Sequence, residues 1–297
     1  VFVDDLFRFE QLPFDLDELP ATFSKFRKVV EKKPSLLPDR PIDSRSMGGC
    51  IPSVWADPAE WKEALEIPLD PSIEVPTHGG AKSASRHWKA YLDARALSHY
   101  KQTRNAFQGP MQSSHLSVWL AHGCISPRQI WWDTLQYEQD VEANESTYWL
   151  RFELLWREYF RWYSRASDWT LFRRTGPSDQ VFGFDQNTRR FERWKTGHTD
   201  CDIVDAAMRE LNETGWMSNR ARQLVASHLI YESNLDWRLG AAYFESQLVD
   251  FDVASNWGNW AYIAGVGPDP RGGRIFHLND QADRYDPDGS YRRRWLS

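Results

Sequence analysis

Two carboxylates and two carboxamides alternate with apolar residues in Asp250-Phe251-Asp252-Val253-Ala254-Ser255-Asn256-Trp257-Gly258-Asn259-Trp260, the densest run of chemistry-bearing side chains in the chain. Polar groups set among large apolar ones tend to be buried with them, and once buried they need partners. Asp250 can pair with an arginine such as Arg222, while Asp252 and Asn256 offer acceptors and donors to a planar ligand rich in heteroatoms. A second run, Gly215-Trp216-Met217-Ser218-Asn219-Arg220, adds another amide and another arginine at a helix start. In Gln112-Ser113-Ser114-His115-Leu116-Ser117 hydroxyls collect at a third helix start, where side chains cap the backbone and free N–H groups can bind phosphate oxygens. On pattern alone, turn chemistry, surface ion pairs and simple capping explain these runs at least as readily as a ligand.

Tryptophan sharpens the question. The chain has 16 in 297 residues, and ten of the 16 follow residue 148, among Asp, Asn and Arg. Most buried Trp is core, because it covers a large flat area at little entropic cost. A set this dense also suits stacking on a planar ligand or base, and passing electrons between rings.

These residues are positioned by helices. Apolar residues recur at helical spacing over 84–97, 116–122, 126–137, 147–163, 203–213, 219–231, 237–248 and 281–285, and alternating strand pattern is nearly absent. The predicted class is all-α, with irregular loops near 165–200 and 255–280. Residues 1–81 are broken by Pro34, Pro38, Pro41, Pro52, Pro58, Pro68, Pro71 and Pro76, and read as an extended, linker-like segment with one short helix at 20–33. The helical domain then occupies 82–297.

Composition excludes several classes. With 36 basic and 42 acidic residues the chain is not a sequence-blind polyanion binder, although a local basic face fits. Cys50, Cys124 and Cys201 are widely spaced, with no histidine at ligand spacing, which predicts no metal and a reducing compartment. No run is long and apolar enough for a membrane span, and the first residues lack signal-peptide form. A soluble intracellular protein is expected, and its start at Val1 rather than Met reads as processing or a fragment.

The segments HYKQTRN (99–105), SSHLSVWLAHGCISPRQ (113–129), STYWLRFELLWREYFRW (146–162), NWGNW (256–260) and YDPDGSYRRRWL (285–296) resemble the FAD-binding helical domain of the cryptochrome/photolyase family, and its DASH branch in particular. The resemblance is collinear over roughly residues 1–296. The 12–31 segment resembles the linker that follows an N-terminal α/β antenna domain, which this sequence lacks. It implies FAD as cofactor, with Tyr100, Ser113, Ser114, Leu116 and Ser117 at its phosphates and ribitol and Arg157 close by. It implies a salt-bridged Asp250–Arg222 pair and Asp252 at the isoalloxazine, Asn219 facing N5, and Asn256 as a further contact. An amide there can meet either protonation state of the nitrogen, since it both donates and accepts. Glu153, Trp156 and Tyr262 match the carboxylate and aromatic walls that hold a flipped pyrimidine dimer, and Arg220 and Arg274 match DNA phosphate contacts. Trp260 and Trp237 match the first two members of an electron path.

Three departures stand out. The outermost aromatic of that path aligns with Phe184, which is far harder to oxidise than Trp, unless Trp169, Trp194 or Trp257 substitutes. Asp200 and Asp202 replace a glycine and a proline, and Val118 replaces a proline. Two readings follow from the resemblance. One is a blue-light-driven deoxyribodipyrimidine photo-lyase acting on single-stranded or damaged DNA. The other is a non-catalytic FAD-binding light sensor or structural subunit docked on a protein partner, with Phe2, Leu6, Phe7, Phe9 and Phe14 as candidate contacts. DASH relatives in plants and algae often enter plastids or mitochondria, which extends the expectation for compartment.

Overall fold

In the computed structural model, residues 5–33, 35–41, 78–179, 183–185, 187–269 and 271–297 are described. Helices α1 (Phe23–Glu31), α2 (Ala81–Asp93), α3 (Tyr100–Thr103), α4 (Ser117–Ala121), α5 (Pro127–Asp140) and α6 (Glu145–Ser167) lead into α7 (Thr188–Lys195), α8 (Asp202–Thr214), α9 (Asn219–Ser227), α10 (Trp237–Gln247), α11 (Val253–Ala264), α12 (Leu278–Tyr285) and α13 (Ser290–Leu296). Among the described residues the one β contact is an isolated bridge between Asp185 and Leu235, so the all-α expectation holds.

Sequence-local chemistry sets the helix ends. Thr22 caps α1 by accepting from the Lys25 N–H, and Asn144 caps α6 through the Ser146 and Thr147 N–H groups at 2.8 and 3.1 Å. The loop expected near 255–280 is corrected: most of its first part is α11. Asp252, read as turn chemistry, is the α11 N-cap, accepting from the Ser255 N–H at 2.8 Å, and Gly265 at φ 76° ends the helix. Likewise α7 lies inside the loop expected at 165–200, started by Asn187, whose side chain accepts from the Arg190 N–H.

The two aspartates that depart from the family pattern fit their backbone. Asp200 sits at φ 70°, a region Gly favours and Asp tolerates, and it pairs with Arg193 at 2.5 Å. Asp202 opens α8, where proline is common and an acid favours the helix dipole.

The core has two clusters. One gathers α8 to α13 around Trp194, Trp237 and Trp260; the other gathers α1, α2, α5 and α6, and Tyr163 packs against both. The N-terminal segment belongs to the second. Leu6 and Phe7 are buried and thus unavailable to a partner, Phe14 is partly buried, and Phe9 alone of the described candidates is exposed. Phe2, Cys50 and most of the Pro-rich stretch lie outside the described residues.

Close approach decides Gly240. A Cβ there would come within 2.2 Å of the Trp260 ring, so the glycine lets that indole lie against α10. Gly240→Ala should lower stability by about 1–3 kcal/mol in urea unfolding, the usual cost of overpacking a filled core. A second expectation concerns α13, whose Tyr291 hydroxyl donates to the buried Glu210 carboxylate of α8 at 2.5 Å. Burial raises the Glu210 carboxyl to about 7 from 4.5, so the folded chain holds a proton that the unfolded chain releases. Stability should therefore fall as pH rises from about 4.5 to 7, and Glu210→Gln should flatten that slope.

Candidate functional site

The site lies where α4, α6, α9 and α11 meet between the two cores. Asp250, on the turn after α10, has a fully buried side chain and pairs with Arg222 of α9, Nη2 to Oδ2 2.8 Å. The Arg222 Nε donates to the Met217 carbonyl at 3.0 Å, which fixes its plane. The other Asp250 oxygen, Oδ1, is buried without a hydrogen-bond partner. Asn256 of α11 is also buried and donates its Nδ2 to the Ala241 carbonyl at 2.9 Å. Asp252 accepts from Arg161 Nη1 at 3.1 Å, and Arg157 Nη2 reaches the Leu120 carbonyl at 3.4 Å. Arg161 was missed by sequence reasoning, although its place two turns after Glu153 on α6 signals the same helix.

The hydroxyl run forms a turn ahead of α4. His115 takes φ 49°, its Nε2 shares a hydrogen bond with the Gly109 carbonyl at 3.2 Å, and His87 bonds the Ser114 carbonyl at 2.8 Å. Burial lowers the His115 pKa. No side chain caps α4 at Leu116, so simple capping does not explain these serines. Ser114 and Leu116 are buried, and Ser117 is exposed. A small cavity brings Ser113 to Asn219, lined also by Arg104, Gly109, His115 and Trp216. Asn219 is exposed there, one residue after the Ser218 cap of α9. Tyr100 is buried where α3 meets α6, and burial raises its pKa.

A third group lies along α6. Glu153 pairs with Arg104 Nη1 at 2.6 Å and accepts from Trp149 Nε1 at 3.1 Å. Burial raises its carboxyl above the ordinary value, against the pull of Arg104. Trp156 meets Tyr262 edge to face at 5.4 Å, and Phe23 of α1 stacks on Trp156 at 3.7 Å, a neighbour nothing in the sequence announced. The Tyr262 hydroxyl bonds Arg274, whose guanidinium also meets the buried Asp269 at 3.1 Å. Arg220 donates to Asn105 at 3.0 Å and lies over Tyr285. Burial lowers the Arg220 pKa, and Arg284 lies over the same Tyr285 ring. Neither Arg104 nor Arg284 was singled out in the sequence.

The aromatic residues form a connected set. Trp260 meets Trp194 at 6.1 Å and Phe244 at 5.1 Å. Trp237, in the same cluster, meets Trp257 at 5.7 Å and donates its Nε1 to the Arg174 carbonyl. Arg174 in turn holds the Phe184 carbonyl at 3.0 Å, and Phe184 packs against the same cluster. Among the three substitutes, Trp194 is fully buried, Trp169 is 64% exposed, and Trp257 alone is both next to Trp237 and partly exposed.

Residues 149–297 match the family model described as the FAD binding domain of DNA photolyase. The chain belongs to the cryptochrome/photolyase family. It is 47% identical over 293 residues to Cryptochrome DASH of Vibrio parahaemolyticus, covering 99% of this chain and 64% of that protein. It is 42% identical to a relative of Arabidopsis thaliana named "Cryptochrome DASH, chloroplastic/mitochondrial", covering 97% of this chain and 51% of that one. The fold superposes on the crystal structure of a Synechocystis cryptochrome with a TM-score of 0.82 at 38% identity, covering 99% of this chain and 61% of that one. The chain thus spans about three fifths of the length of the Vibrio relative.

As an FAD domain of the cryptochrome/photolyase type, the fold should leave buried polar valences for the cofactor, and the Asp250 Oδ1 is one. Among the described residues no helix is long and apolar enough to cross a membrane, and no cluster of ligands suits a metal. Removing Arg222 would strand a buried carboxylate. Arg222→Met should cost about 3 kcal/mol in urea unfolding, and adding Asp250→Leu should restore part of it.

Proposed function

We propose that the chain uses FAD and blue light to split cyclobutane pyrimidine dimers in single-stranded DNA. The observation that carries this reading is the Arg104–Glu153 pair at 2.6 Å on the helix that carries Trp156, with Trp156 and Tyr262 in ring contact and Arg220 and Arg284 both lying over Tyr285. Bound FAD supplies the light-driven electron and takes it back. Asp250, Arg222, Asp252, Asn219 and Asn256 would hold its ring, and Tyr100, Ser113, Ser114, Leu116, Ser117 and Arg157 its chain. Guanidinium groups hold phosphates, and a base turned out of its strand needs stacking faces and a hydrogen-bond partner. Glu153 would supply that partner once Arg104 turns to phosphate, and its raised pKa favours a carboxyl that can donate. The Trp156–Tyr262 edge contact has to open, and the Phe23 ring to leave the Trp156 face, for the base to stack there. Single-stranded DNA spares the protein the further work of breaking base pairs.

FAD-loaded protein illuminated with a thymine-dimer oligonucleotide and a reductant should lose the dimers. Glu153→Ala should keep the flavin spectrum and repair at roughly a tenth of the rate, the loss of one buried hydrogen bond. Flavin without dimer loss in the unaltered chain would overturn repair in favour of a light sensor or docked subunit. Electron supply gives a separate expectation. Trp257 is placed to refill Trp237, with Glu245 accepting its Nε1 proton at 2.9 Å. Trp257→Phe should slow flavin photoreduction at least tenfold, measured by absorbance under steady blue light, while Trp169→Phe should leave it unchanged.

A further inference from the structure

Asp5, near the start of the chain, is 3% exposed and reaches across to α6, where Arg161 Nε meets its Oδ1 at 2.7 Å. The same guanidinium meets Asp252 Oδ2 at 3.1 Å through Nη1. One planar cation thus joins two carboxylates that lie 247 positions apart (252 − 5). A planar fork of fixed donors sets the angle between the two carboxylates, which the freely rotating ammonium of a lysine would not. The segment carrying Asp5 is itself clamped. Glu158, fully buried on α6, accepts from the backbone N–H groups of Leu6 at 2.8 Å and Phe7 at 3.0 Å, and Arg128 Nε donates to the Asp5 and Leu6 carbonyls at 2.9 and 3.2 Å. Arg165 adds a second cation on Asp5 at 2.8 Å.

Asp252 has two tasks in this arrangement. Its Oδ1 caps α11, which carries Asn256, Trp260 and Tyr262, and its Oδ2 is held by Arg161. Rotating the carboxylate would disturb the first turn of α11 and the flavin face together. We infer that Arg161 is a positioning residue, and that the Asp5–Arg161–Asp252 relay makes the N-terminal segment a working part of the flavin site. This rests on the placement of Asp252 at the flavin given above. Coupling is reciprocal: if the clamped segment tightens flavin binding, bound flavin tightens the segment.

The test uses the full chain loaded with FAD and follows flavin release in the dark by fluorescence, with thermal unfolding of each variant as the check on folding. Asp5→Asn and Arg161→Met should each release flavin on the order of tenfold faster. Asp5→Asn should add little in the Arg161→Met background, because the two residues act through one another. Amide exchange at Leu6 and Phe7 should slow when flavin is bound, a response that a merely structural clamp would not give. If Asp252→Asn leaves release unchanged, the placement of Asp252 at the flavin is wrong. If Asp252→Asn speeds release while Asp5→Asn and Arg161→Met do not, the relay alone is overturned. Additive losses in the double variant, or flavin-independent exchange at Leu6 and Phe7, would overturn it too.

Discussion

A carboxylate without solvent ties the chain's first described residues to its central helix. Glu158 is fully buried in the middle of α6, and burial raises its carboxyl above the ordinary range. Its charge is met by the Leu6 and Phe7 N–H groups and by Trp162 Nε1 at 2.7 Å, three donors that no water could replace there. The chain's first described residues are thereby fixed to the helix that also supplies Glu153, Trp156, Arg157 and Arg161. With α6 packed on one side by the N-terminal segment and on another by α11, that wall of the site is held in place. A site that must hold a large cofactor benefits from walls fixed before the cofactor arrives.

Charge in the site is matched in pairs. Asp250 and Asp269 are buried and matched one to one with Arg222 and Arg274, and Arg104 is matched with Glu153. The buried part is therefore nearly neutral, with the Asp250 Oδ1 valence open. That order suits a cofactor gripped by hydrogen bonds.

Helix class and most helix spans could be read from periodicity, because the buried faces of α6, α8, α9 and α10 repeat at helical spacing. The start of α11 was misread for a physical reason: Asp252 and Ser255 form a cap, and a cap uses the same residue types as a turn. The resemblance named Arg222 with Asp250, which the structure pairs. It gave no hint of Arg161, Phe23 or Glu158, whose roles depend on contacts from 91 to 156 positions away and leave no local pattern. Trp156 illustrates the gap: its type and position suggested an open stacking wall, and its face is covered by a residue of α1.

The departures from the family spelling do not weigh equally. Asp200 and Asp202 occupy a left-handed residue and a helix start, both of which accept aspartate, and Val118 sits inside the first turn of α4, where proline and valine both fit a helix. These three changes are settled by local backbone and say little about function. Phe184 is different, because packing cannot compensate for a change in oxidation energy. Its carbonyl is held by Arg174, whose guanidinium also lies over its ring, yet a phenyl ring offers no low-energy electron. Trp257 meets Trp237 from another side, and Glu245 gives its ring proton a destination. On the electron path proposed above, phenylalanine at the outer place would remove one exit from the aromatic set, and Trp257 would keep Trp237 connected. The functional weight of that departure then turns on one indole and one carboxylate.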